Sequence, residues 1–132
     1  MTTKEKGFTV LELIIVFTLI GILVGLALPQ FKHAIIKSKE TVLKENLFQL
    51  RMLINQYYTD KKHYPASLQS LVDDKYLFRI PVDPITNSSD TWIEVPETLS
   101  DESVFSGQIP GIVDLTSGSK DTAQDGTLYS TW

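Results

Sequence analysis

Hydrophobic positions along the chain follow two regimes. From Phe8 to Leu28 the sequence reads FTVLELIIVFTLIGILVGLAL, apolar on every side apart from Glu12. A helix over this run is about 31 Å long, enough to cross a hydrocarbon core of roughly 30 Å. Pro29 closes the run, because proline inside a helix removes a hydrogen bond and crowds the preceding turn. Beyond it the pattern becomes periodic. Leu43, Leu47, Leu50, Ile54 and Tyr57 are spaced four, three, four and three, with Phe31 and Ile35 in similar phase. That is one apolar stripe of helical period. Positions 30 to 60 contain neither glycine nor proline. The pattern predicts one long helix from about Phe8 to Tyr58, bent near Pro29, with a membrane-spanning first half and an amphipathic second half.

Downstream the punctuation changes. Pro65 breaks the helix, and Ser67 suits the N-cap of a short helix over Leu68–Asp74. RIPVDP, with Pro81 and Pro84, demands an extended or turning path. Thr91–Val95 (TWIEV) and Ile112–Thr116 (IVDLT) are rich in strand formers and alternate. Residues 96–110 read as a loop. DGTLYSTW is expected to add a last short strand after an Asp125–Gly126 turn. The expected fold class is α+β: a long bent N-terminal helix packed by a head with a small antiparallel sheet. The expected organisation is a leader at 1–7, a membrane helix at 8–29, a stem at 30–60 and a head at 61–132.

Charge sharpens this division. The net charge of −4 conceals a gradient. Residues 29–62 carry Lys32, Lys37, Lys39, Lys44, Arg51, Lys61 and Lys62 against Glu40, Glu45 and Asp60. Residues 63–132 carry only Lys75, Arg79 and Lys120 against eleven acids. A solvated surface accounts for such a gradient; so does complementarity between the head of one copy and the stem of another. No basic patch is interleaved with aromatics, so nucleic acid is not an expected partner. There is no cysteine, which excludes disulfides, thiolate chemistry and lipoprotein acylation. His33 and His63 lie too far apart to suggest a zinc site. The motifs G-x-S-x-G, phosphate loop and H-E-x-x-H are missing, so no catalytic residues are expected and the chain does not read as an enzyme.

An acid within a membrane span is costly and by default marks function. Its context is GFTVLE, after the short charged leader MTTKEKG. The apolar run is too long for a cleaved secretory signal, and no A-x-A site follows it. The small residue at a junction is Gly7, before the run, which points to removal of the leader alone. Lys4 and Lys6 favour a cytoplasmic N-terminus, but the flank after Pro29 is also basic, so charge leaves orientation open. Gly21 and Gly25 form a small-xxx-small face that permits close helix approach in lipid.

Gly7, Phe8 and Glu12 in this arrangement, followed by an apolar helix and Pro29, resemble the prepilin signal of type IV pilins and type II secretion pseudopilins. The resemblance implies cleavage between Gly7 and Phe8 by a prepilin peptidase, then N-methylation of Phe8. It also implies that Glu12 is an assembly residue, paired with the Phe8 amine of a neighbouring subunit; pairing with its own Phe8 amine before assembly stays open. Around Pro29, Gly21 and Gly25 the helix of family members can lose regularity within filaments.

Two further stretches extend the likeness. HYPASLQSLVDDKYLFRIPVDPITNSSDTW resembles the Y-P-x-x-L-x-x-L…P-x-D-P segment of major pseudopilins, where the residues build the fold. DLTSGSKDTAQDG resembles their calcium loop, which implies Ca2+ ligands at Gly118, Asp121 and Asp125. The loop departs from that pattern: Gly118 replaces an apolar residue, Ser119 stands at a glycine position, and the later glycine-rich stretch is short. A loop closed by its own hydrogen bonds is the other expectation. The implied function is that of a subunit polymerising into a periplasmic pseudopilus. The implied partners are other copies of itself, prepilin peptidase, minor pseudopilins, an assembly platform protein, an ATPase and membrane lipid. The implied location is the inner membrane, with a cytoplasmic N-terminus and a periplasmic head. The alternatives are a type IV pilin of a surface filament and a membrane-anchored periplasmic module that never polymerises.

Overall fold

A computed structural model describes Lys4 and residues 6–132. The expected leader, residues 1–7, therefore lies partly outside the described residues. The elements are α1 (Val10–Lys61), α2 (Leu68–Asp73), β1 (Trp92–Pro96), α3 (Asp101–Phe105) and β2 (Ile112–Ser117), with a closing 3-10 turn at Tyr129–Thr131. The chain divides into two compact units, Met1–Ile36 and Lys37–Trp132.

In the first unit, α1 carries an apolar surface that the chain itself leaves uncovered. Every residue from Lys6 to Leu26 is exposed. α1 is the one described helix long and apolar enough to cross a membrane, by length and composition. Pro29 lies inside it. Phe31 and Ile35, expected in phase with the apolar stripe, are also exposed.

The second unit is organised on the remaining stretch of α1. Leu43, Leu47, Leu50, Ile54 and Tyr57 are its buried residues, the expected four-three-four-three stripe. They form one core with Leu68 and Leu71 of α2, Trp92 of β1, Ile112 and Leu115 of β2, and Ala123 and Tyr129 beyond it. Each Leu in this set is at most 3 % exposed, so truncating one to Ala is expected to cost about 2–5 kcal/mol.

Ser67 caps α2 as its sequence predicts, its Oγ accepting from the Ser70 N–H. Glu94 of β1 adds a second acceptor for that end, its Oε1 lying 2.8 Å from the Leu68 nitrogen. β1 and β2 pair antiparallel, Trp92 opposite Ser117 and Glu94 opposite Leu115, with an irregularity between Val95 and Pro96. Two expectations change. The connection that reads as a loop contains α3, whose N-cap Ser100 accepts from the Ser103 N–H. The sequence signal was the pair Ser100 and Ser103 around two acids, a cap too brief to register as periodicity. The last segment is not a strand: it makes an isolated bridge, Thr122 to Leu128, and then the 3-10 turn. The sheet among the described residues has two strands only.

The V-D-P turn is fixed from inside. Asp83 is fully buried, and its Oδ1 accepts from the backbone N–H groups of Ile85 (2.8 Å) and Thr86 (3.3 Å). Its Oδ2 accepts from the hydroxyl of Ser117, at the end of β2. A buried carboxylate without a cation is tolerable when several donors satisfy it. Trp92 completes the joint by donating its indole N–H to the Pro81 carbonyl at 2.8 Å.

Two glycines are set by close approach. A Cβ on Gly118 would stand 2.1 Å from the Thr91 carbonyl oxygen, and one on Gly111 would stand 2.5 Å from Tyr64 Cβ. Gly118→Ala is therefore expected to lower unfolding stability by about 1–3 kcal/mol, the usual cost of overpacking. Denaturant unfolding of the detergent-solubilised chain, followed by tryptophan fluorescence, measures it; an unchanged midpoint would show that the β1–β2 end can open without cost.

Candidate assembly determinants

The N-terminal constellation is built on the first turn of α1. Thr9 precedes the helix, and its hydroxyl accepts from the Glu12 N–H at 3.2 Å while its carbonyl accepts from Leu13 at 3.1 Å. Thr9 is thus an N-cap, and T-V-L-E has the spacing of a capping box. This signal was present in the sequence and gives Glu12 a local rationale: an acid in the first turn is favoured by the helix dipole. Phe8 is 86 % exposed and Glu12 is exposed, so Glu12 is not sequestered within its own chain. Gly7 lies outside the helix, next to Phe8. At Gly21 and Gly25 an added Cβ would meet nothing within 4 Å, so this small-residue face is open to a neighbouring helix.

The head is fastened to the stem by two charged residues not singled out from the sequence. Glu40 Oε1 accepts from the Gln124 N–H (2.8 Å) and the Tyr129 hydroxyl (2.9 Å). Arg51 donates from Nε to Asp114 Oδ1 at 2.6 Å and from Nη2 to the main-chain oxygens of Leu115 (3.1 Å) and Trp132 (2.8 Å). Their signal was positional: Glu40 stands three residues before Leu43 and Arg51 one after Leu50, at the margins of the apolar stripe. At the far end of the stem, Asp74 Oδ2 accepts from Lys61 (2.6 Å) and Tyr57 (2.9 Å). The Lys61 ammonium, then the Tyr57 hydroxyl, hold the Asp74 carboxyl below its ordinary range.

The sequence-predicted calcium residues sit in a loop that closes on itself. Ser117 Oγ accepts from the Ser119 N–H, and Ser119 Oγ from the Asp121 N–H. Asp125 Oδ1 accepts from both the N–H and the hydroxyl of Thr127, which lower its pKa. The Asp121 carbonyl accepts from the Tyr129 N–H at 3.2 Å. Among the described residues no group of three or more Asp, Glu, His or Cys side chains gathers as a metal cage. Calcium takes six to eight oxygens, so Gly118, Asp121 and Asp125 would need further carbonyls or waters to complete such a shell. What Gly118 visibly supplies is room for the Thr91 carbonyl.

A single long helix with an uncovered apolar half, an acid in its first turn and a small α+β head give a pilin-like α+β fold. Comparison with known proteins gives similarities that agree. Residues 2–28 match the prokaryotic N-terminal methylation motif. The chain is 29 % identical to the type II secretion system core protein G of Escherichia coli over 102 residues, covering 65 % of this chain and 70 % of that protein. It is 27 % identical to the fimbrial protein EcpC of Eikenella corrodens, over 94 % of this chain and 79 % of that one. To the type IV major fimbrial protein FimA of Dichelobacter nodosus it is 37 % identical, over 47 % of this chain and 40 % of FimA. No solved structure matches the chain. Motif and relatives together support a pilin-like subunit, similar to pseudopilins and type IV pilins, which are structural proteins and not enzymes.

Tyr129 carries the pH dependence of the Glu40 clasp. Burial, then the hydrogen bond to Glu40, push its pKa up to about 12. The folded state thus favours the neutral phenol relative to the unfolded chain, whose tyrosines ionise near 10. The stabilisation is complete below about pH 10 and is lost as pH rises through about 12. Alkaline titration followed by phenolate absorbance should show Tyr129 ionising late, and Tyr129→Phe should flatten the loss of stability in that window.

Proposed function

We propose that the chain polymerises through its N-terminal helix into a periplasmic pseudopilus of a type II secretion system. The observation that carries this reading is α1 itself. Its first half offers an apolar surface with no partner in the chain, and the methylation motif covers the same residues. Before assembly, lipid covers that surface. After assembly, other copies do, with Gly21 and Gly25 allowing close approach.

In this mechanism a prepilin peptidase cuts between Gly7 and Phe8 on the cytoplasmic face and methylates the Phe8 amine. Cleavage places a cation four residues before Glu12. In the filament core the Glu12 carboxylate of one subunit meets the Phe8 amine of another. Two charges that are each costly in apolar surroundings become tolerable as a pair. The pair also rewards one axial register over its neighbours. Pro29 is the place where the helix accommodates the passage from bilayer to filament. A platform protein and an ATPase would draw subunits from the inner membrane, and minor pseudopilins would join the same filament.

The pseudopilus assignment draws support from similarity to core protein G in Escherichia coli and also in Pseudomonas aeruginosa, each matched over 70 % of its length. The P-x-D-P turn, with its buried Asp83, agrees with it. A second reading, a subunit of a surface type IV filament, is favoured by the longer match to the Eikenella fimbrial protein.

Sheared filaments from the native host, analysed by mass spectrometry, test the proposal. Wild-type subunits are expected to begin at N-methylated Phe8. Glu12→Ala is expected to be processed yet to reduce filament recovery by at least roughly tenfold, since it removes one partner of a buried charge pair. Retention of residues 1–7, with both forms monomeric in the membrane, would leave only an anchored module. Loss of secretion without loss of long surface filaments separates the pseudopilus from the type IV filament.

A further inference from the structure

The connection between β1 and β2 is far longer than the pairing needs. Antiparallel neighbours are usually joined by two to five residues; here residues 97–111 intervene. At its base the Glu97 N–H donates to the Gly111 carbonyl (2.8 Å), and Glu97 Oε1 accepts from the Gly111 N–H (3.0 Å). Above that clasp the hydrogen bonds run within the segment: Val104 to Ser100, Ser106 to Glu102, Gln108 to Ser103. The segment is thus self-structured around α3. It presents Val104, Phe105 and Ile109, which are 60, 91 and 79 % exposed, beside the exposed acids Asp101 and Glu102. An apolar knob flanked by carboxylates is a surface that asks for an apolar seat with cations at its rim.

Such a seat exists on the stem of the same unit. Lys37, Lys44 and Arg51 recur every seven residues and so share one side of α1. Within that stripe Lys44, Phe48, Arg51 and Trp132 line a groove of about 420 Å³, large enough for an aromatic ring. Phe48 is 64 % exposed at its edge, and the Lys44 ammonium lies 4.4 Å from the centroid of the Trp132 ring. Asp125 also lines the groove, with its Oδ1 turned to Thr127. Arg51 is paired with Asp114, which leaves Lys44 and Lys37 to meet incoming acids.

We infer that the α3 knob of one copy docks into the Lys44–Phe48–Trp132 groove of another, with Phe105 seated in the groove and Asp101 and Glu102 facing Lys44 and Lys37. The occupant is a second copy because knob and seat have complementary charge and both belong to this chain. A patch that pairs with a different patch gives a heterologous contact, which builds rings or, where the rotation does not close, open helical filaments, rather than two-fold dimers. The inference rests on the filament reading and assigns it a shell contact, separate from the helical core.

The native chain has no cysteine, so engineered pairs report cleanly. Phe48→Cys and Phe105→Cys are made singly and together in the full chain, in a host carrying its assembly machinery. Under mild oxidation, sheared filaments of the double variant are expected to give a ladder of disulfide-linked multimers that neither single variant gives. In a second measurement, Lys44→Glu is expected to cut filament recovery roughly tenfold through like-charge contact, and adding Asp101→Lys with Glu102→Lys to restore it. Normal filaments without a ladder, or charge reversal without rescue, would overturn the docking while leaving the filament reading intact. If the unmodified chain forms no filaments, the filament reading fails and the docking falls with it.

Discussion

Everything in this chain depends on one helix that must satisfy two surroundings. The first half of α1 is apolar on all sides apart from Glu12 and is exposed up to Leu26, so its burial has to come from lipid or from other molecules. The second half has a single apolar stripe, Leu43 to Tyr57, and the rest of the chain exists to cover it. Neither demand can be met by the other's solution. An all-round apolar helix would leave nothing for a soluble head to orient on, and a striped helix could not remain in hydrocarbon. Pro29 falls between the two regimes, where a missing backbone donor is least harmful to either.

Covering a stripe is a small task, and the head that performs it is correspondingly small. Two strands and one six-residue helix do not make a core by themselves. They hold because the stem lends five core residues and because polar links fix their places. Glu40 and Arg51 bind the C-terminal segment from two levels of the stem, and Lys61 and Tyr57 hold the end of α2 through Asp74. Without disulfides these contacts take the part that cross-links play in other small domains. Asp83 does similar work from within. It converts the P-V-D-P turn into three hydrogen bonds, one of them reaching β2.

Much of this was legible in the sequence because it is periodic or punctuated. The span and the stripe repeat over many residues, and the stripe's buried members are those its spacing predicts from Leu43 onward. Phe31 and Ile35 keep the phase but not the burial, because phase is a local property and burial needs something to lie alongside. The capping of α2 was legible for the same local reason. What the sequence withheld was pairing at a distance. That Glu40 meets Tyr129, or that Gly118 makes room for Thr91, depends on which segments the fold brings together. The last segment shows the limit from the other side: LYSTW has the composition of a strand, yet Tyr129–Thr131 turns as a 3-10 helix.

Glu12 is where local and global rationales meet. Thr9 and Glu12 form a helix start that needs no partner, so the acid has a reason to be present even in an isolated subunit. That reason does not require an acid within an apolar run, since a glutamine or serine in the first turn would cost the membrane less. The difference between what the cap requires and what the chain carries is a carboxyl group at a fixed place in the apolar run. A charge of that kind is most valuable where an opposite charge arrives at the same depth, and cleavage after Gly7 would create one at Phe8. Cap and pair are compatible: the cap uses the Glu12 backbone N–H, and the carboxylate remains available to a neighbour.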